Sequence, residues 1–170
     1  MAAVGTREFG NAVHIFAEAI GRPGERRFRL QIVGESNDSA LIWMEKEQLS
    51  SLGEAIDSVL REESYQYQRL PLDDTDEPGD FPFASDLDMR AGQLSLGLDR
   101  ERRRVVIVAV SSDDESDSLR CEVEYRRAHE LGRQISDTVA AGRPICPLCS
   151  GPIDPDEHVC VRTNGHHRQA

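Results

Sequence analysis

The chain has 170 residues and a formal net charge of −11, from 31 Asp and Glu against 20 Lys and Arg. That length suits one domain with a small appendage, and the acidic balance argues against nucleic acid as a partner, because phosphate contact depends on clustered Lys and Arg. No run approaches the roughly twenty apolar residues that span a bilayer, and the N-terminus lacks the basic-then-apolar layout of a signal peptide, so the expected location is the cytoplasm.

In chain order, residues 1–11 are small and polar and read as a flexible N-terminus. From Ala12 the pattern alternates, with Val13, Ile15, Ala17 and Ala19 on one side and His14, Phe16, Glu18 and Ile20 on the other, as in a strand. Arg22-Pro23-Gly24-Glu25 follows, with Pro and Gly at the two central positions of a type II turn. A hairpin partner carries Phe28, Leu30 and Ile32, and a third strand runs from Ala40 to Glu45, where Trp43 is expected in the core. Between Glu45 and Glu63 the period changes: Leu49, Leu52, Ile56, Val59 and Leu60 recur at three and four and form one apolar helical face.

Residues 12–63 are therefore a first βββα unit, and 64–89, rich in Asp, Pro, Gly and Tyr, an acidic connecting loop. Residues 90–141 repeat the order: Leu94, Leu96 and Leu98 at strand spacing, a basic turn at Arg100 to Arg104, a β-branched strand Val105 to Val110, a strand Leu119 to Glu124 and a helix marked by Ala128, Leu131, Ile135 and Val139. A shift of 79 residues lays Leu52-Gly53 on Leu131-Gly132 and Ile56 on Ile135. The expected fold class is α+β: tandem βββα repeats forming a mostly antiparallel sheet with two helices on one face, plus a C-terminal zinc knuckle. Cys121 falls within an apolar-alternating strand and reads as a small core residue.

The knuckle is the tail, residues 142–170. Cys146-Pro147-Leu148-Cys149 is followed, after eight residues, by His158-Val159-Cys160. A C-x2-C turn converges two thiolates on one ion, and a second pair returning from a short loop completes four tetrahedral ligands. Cys146, Cys149, His158 and Cys160 are the candidate set, closed and structural, with zinc favoured over iron. His166 and His167 are alternatives to His158. A redox pair at Cys146 and Cys149 is the competing reading, although Pro147 and Ser150-Gly151-Pro152 oppose the helix that such motifs normally open.

Ala140-Ala141-Gly142-Arg143-Pro144, the four ligands, Pro152, Asp154-Pro155, Arg162 and Asn164-Gly165 resemble the C-terminal signature of an uncharacterised, mainly actinobacterial family called domain of unknown function 3090. Gly21 to Arg26 and Arg90 through Gly97 are similar to its earlier blocks. The chain departs at Ser150, Val161 and His166, where the family tends to have Gly, Pro and Tyr. The resemblance implies no settled activity. It does imply a pathway shared with kinase-like and phosphatase-like proteins, whose genes often lie beside those of the family.

Two functional readings follow. One is a non-enzymatic protein-interaction or adaptor module with a structural zinc site, its expected protein partner kinase-like or phosphatase-like. The other is an enzyme or binding protein for a phosphorylated small molecule held by paired arginine-rich turns, with Arg22 and Arg26 on one and Arg102 and Arg103 on the other. His14 and His129 have no assignable nucleophile or acid beside them in the sequence, so no catalytic residue is named.

Overall fold

Period-two alternation builds six strands, and apolar spacing of three and four builds two helices. The computed structural model describes residues 5–22, 24–63, 81, 84–141, 146–150, 153, 160 and 162. In order these form β1 (Gly5–Ile20), β2 (Arg27–Gly34), β3 (Ser39–Met44), α1 (Lys46–Glu63), β4 (Leu87–Asp99), β5 (Arg104–Ser111), β6 (Asp117–Glu124) and α2 (Tyr125–Ala140). In β2 the buried positions are Phe28, Leu30, Ile32 and Gly34, with Arg29, Gln31 and Val33 between them on the outside. The fold is α+β with a mostly antiparallel six-stranded sheet and two helices.

The sheet closes on itself. Strands β1 to β3 and β4 to β6 are antiparallel meanders joined by two parallel seams, β3 with β4 and β6 with β1, and the second seam closes a barrel. Closure uses residues 5–11, expected as a flexible N-terminus: Gly5, Thr6, Arg7 and Glu8 pair with Asp117, Ser118, Leu119 and Arg120. Between Glu8 and Asn11 the register slips at Gly10, whose φ of +60° suits glycine. Gly34 permits the close crossing there, since a Cβ at that position would collide with the Phe9 carbonyl.

Each helix fills a gap that the barrel leaves. Beyond Asn11, β1 parts from β6 and its edge turns to α2, where Gln134 Oε1 accepts the Ala17 N–H at 2.8 Å. Beyond Arg90, β4 parts from β3, and Gln48 of α1 donates from Nε2 to the Ala91 carbonyl at 3.1 Å. Buried backbone groups that have lost a strand partner are thus satisfied by side chains. Leu49, Leu52, Ile56 and Leu60 of α1, and Ala128, Leu131, Ile135 and Val139 of α2, complete one core with the inward strand residues, Cys121 among them.

Two sequence expectations move to other places. A bulge between Ala12 and His14 turns Val13 outward, leaving it 49% exposed, while Ile15 and Ala17 stay buried. In β3 the buried hydrophobic residues are Ala40, Ile42 and Met44, so Trp43 lies half-buried on the outer face instead of in the core. The expected connecting loop, 64–89, is also shorter than its limits: Leu87 and Met89 are buried residues of β4, and Asp86 docks on β3 by accepting the Ser39 N–H at 2.8 Å and its hydroxyl at 3.1 Å. Those two bonds hold the Asp86 carboxyl below its ordinary range.

Candidate metal centre

Three of the four expected ligands converge. The Sγ atoms of Cys146, Cys149 and Cys160 all lie within 4.8 Å of one another, with Cys146 and Cys160 3.8 Å apart. A disulfide would bring two sulfurs to about 2.05 Å, so the Cys146 and Cys160 sulfurs are not bonded to each other. Ligands about 2.3 Å from one tetrahedrally coordinated ion stand about 3.8 Å from each other, so the spacing fits a shared metal ion. His158, His166 and His167 lie outside the described residues.

The local chain explains the convergence. Pro147 to Cys149 form a turn, closed by the Ser150 N–H donating to the Cys146 carbonyl at 2.8 Å. This folds the backbone tightly enough to bring Cys149 back over Cys146. Ser150 takes up the reversal with φ of 57°, a left-handed conformation that favours glycine, and it occupies the position at which the resembling sequences tend to carry Gly. Cys146 is buried, whereas Leu148 at the tip of the turn is 53% exposed.

The four arginines named from the sequence do not come together. At the first turn the Glu25 N–H donates to the Arg22 carbonyl at 2.9 Å, and Gly24 has φ of 91°, as a type II turn requires. Arg26 there donates to the Thr138 carbonyl in the last turn of α2 at 3.3 Å and lies over the Phe28 ring, a usual role for a cation at a helix C-terminus. At the second turn Arg102 pairs weakly with Asp99 and Glu122, both at 3.9 Å. Arg103, with φ of 55°, accepts the Tyr125 N–H on its carbonyl and lies over the Tyr125 ring. Thr138 and Tyr125 sit near opposite ends of α2, about 20 Å apart at 1.5 Å per residue. Each turn therefore serves the nearest helix end.

Elsewhere, Glu122 carries the densest charge network. Its carboxylate is 7% exposed and accepts from Arg104 at 2.9 Å and Arg120 at 3.0 Å, and Arg120 reaches across the closing seam to Glu8 at 3.1 Å. The paired guanidiniums hold the Glu122 carboxyl below its ordinary value. Asp73 to Asp80 of the first acidic loop lie outside the described residues. In the acidic hairpin between β5 and β6, Asp114 turns inward on its own loop and accepts from the Ser116 N–H and hydroxyl.

Sequence reasoning missed an open groove of about 460 Å³ along the β3 and β4 seam, lined by Arg27, Trp43, Asp88, Met89, Arg90 and Asp113. Its residues come from three strands and a hairpin, so no local motif marks it. Among the described residues no helix is long and apolar enough to cross a membrane.

No curated protein and no solved structure matches the chain. A family model, described as Protein of unknown function (DUF3090), matches residues 7–160, taking in the barrel from Arg7 onward and all four candidate metal ligands. Over that length the match leaves one conclusion: the chain belongs to the DUF3090 family.

Proposed function

We propose that Cys146, Cys149 and Cys160, with His158 as fourth ligand, hold one structural zinc ion, and that the chain acts in the cytoplasm as a non-enzymatic protein-interaction module. The observation behind this is the spacing of the three thiols, 3.8 Å between Cys146 and Cys160 and under 4.8 Å throughout, which suits a tetrahedral ion. Three thiolates and an imidazole fill the coordination sphere, so the metal has no position for water or substrate, and its binding energy goes into folding the tail. The partner expected from the resemblance is a kinase-like or phosphatase-like protein.

The barrel is read as a tandem βββα repeat that presents this tail. Reciprocal packing supports the 79-residue shift: a Cβ on Gly53 would meet Ile135, and one on Gly132 would meet Asp57 and Ile56, so equivalent residues of the two helices exchange the same contact. Two units related in this way would supply the two meanders, the two seams and the two gap-filling helices.

Elemental mass spectrometry on native, untagged protein tests the metal. One zinc per chain is expected, lost in Cys149→Ser and His158→Ala and kept in His167→Ala, with unchanged far-ultraviolet circular dichroism of the barrel. Absence of metal from the parent protein refutes the site. Retention without His158 moves the fourth ligand elsewhere. The interaction role is tested by co-purification from the native host: recovery of a kinase-like or phosphatase-like protein by the parent but not by Cys149→Ser is expected, and equal recovery by both would separate the interaction from the knuckle.

A further inference from the structure

The two parallel seams of the barrel place corresponding residues in the same positions, and one seam has an anion that the other lacks. In the β6 and β1 seam, Glu122 is opposite Asn11, and Arg104, two residues before its β5 neighbour Val106, donates to it at 2.9 Å. In the β3 and β4 seam, Trp43 is opposite Arg90, and Arg27, two residues before its β2 neighbour Arg29, occupies the place of Arg104. The carboxylate that Arg104 finds has here been replaced by an indole. The Arg27 guanidinium lies over the Trp43 ring at 4.7 Å, and among the described residues neither Arg27 nor Arg90 has an acidic partner within ion-pair distance. Arg29, over the same ring at 5.0 Å, is already paired with Glu18.

The surroundings make this a built recess. Asp88 accepts the Trp43 Nε1–H at 2.9 Å and so fixes the plane of the ring. Beside it lies the groove of about 460 Å³ whose lining includes Arg27, Arg90 and Asp113. We propose that this groove binds an oxyanion carried on a planar apolar body, with the anion between Arg27 and Arg90 and the body against Trp43. Guanidinium forks match the two oxygens of such a group, and an indole face offers stacking area. The nearby Asp88 and Asp113 carboxylates favour a single negative charge over a double one, and therefore a carboxylate over a phosphate monoester. This site is separate from the proposed metal centre.

Trp43 is the only tryptophan in the chain, so its fluorescence reports the groove directly. Titration with benzoate, phenyl phosphate and the uncharged isostere benzamide is the test. The expected result is a saturable change with benzoate and weaker binding of phenyl phosphate. Benzamide, and benzoate with Arg27→Met or Arg90→Met, should each bind at least about tenfold more weakly, the scale of a lost charge-assisted hydrogen bond. Both arginines are exposed on the outer face, so unchanged circular dichroism of the variants is expected and is checked in parallel. No saturable change with either anion overturns the proposal, as does equal binding of benzamide or full benzoate affinity in both variants. Tighter binding of phenyl phosphate would keep the oxyanion site and reassign the preferred group.

Discussion

Gly53 and Gly132 stand at corresponding places where α1 crosses α2, yet alanine is expected to act oppositely at the two. A Cβ on Gly53 would lie 2.7 Å from Cγ2 and 3.3 Å from Cβ of Ile135. Ile135 is β-branched and buried, so its side chain is held in one rotamer and cannot turn away. The helices must separate or the core must shift, an overpacking cost of about 2–3 kcal/mol, against which the better helix propensity of alanine returns about 1 kcal/mol. Gly53→Ala is thus expected to lose about 1–2 kcal/mol, a fall in Tm of about 2–8 °C for a domain of this size. At Gly132 the nearest atom, at 2.6 Å, is Oδ1 of Asp57, the end of a half-exposed side chain that can swing into water. Gly132→Ala therefore keeps the propensity gain and is expected to stabilise by about 0.5–1 kcal/mol. Urea unfolding and thermal melts of both variants beside the parent measure the pair. A Gly53→Ala protein as stable as its parent, or a Gly132→Ala protein that loses as much as Gly53→Ala, would refute the account of the helix crossing.

Three further predictions concern single groups. Glu122→Gln removes a carboxylate gripped by Arg104 and Arg120 and is expected to cost about 1.5–3 kcal/mol at neutral pH. The folded-state pKa of Glu122 is depressed, so its stabilisation is present above the ordinary value near 4.5 and is lost as pH falls through the folded value. The stability gap between parent and variant should accordingly shrink on acidification from pH 5, and a gap that stays constant to pH 2 would show that the charge contributes nothing. Ser150→Gly relieves a left-handed residue in the knuckle, worth about 1 kcal/mol, and should slow metal loss to a chelator; faster loss would contradict the strain. Complete burial pushes the Cys121 thiol up to about 12, so iodoacetamide should leave Cys121 unmodified in folded protein at pH 8 and label it after unfolding. Rapid labelling of the native chain would place that strand outside the core.

Much of this architecture was legible locally. Strand and helix faces are written in period two and in spacings of three and four, so Phe28, Leu30, Ile32, Leu52, Ile56, Leu131 and Ile135 were identifiable as core and are buried. The thiol cluster was legible too, because a C-x2-C turn and a short return loop restrict where four ligands can go, and Cys146, Cys149 and Cys160 do meet. The closure of the barrel was not. Gly5 to Asn11 has no apolar alternation, and its partner β6 lies more than a hundred residues away, so nothing nearby in sequence signals that pairing. The outward turn of Trp43 was likewise hidden, since β-branched and aromatic residues suit either face of a strand and only register decides which is inside. The same holds for the arginines. Sequence shows where they cluster, but whether each meets a carbonyl, a carboxylate or open space depends on which strands the barrel brings together, and so Arg26 was assigned to a helix end and Arg27 to a groove only by the tertiary structure.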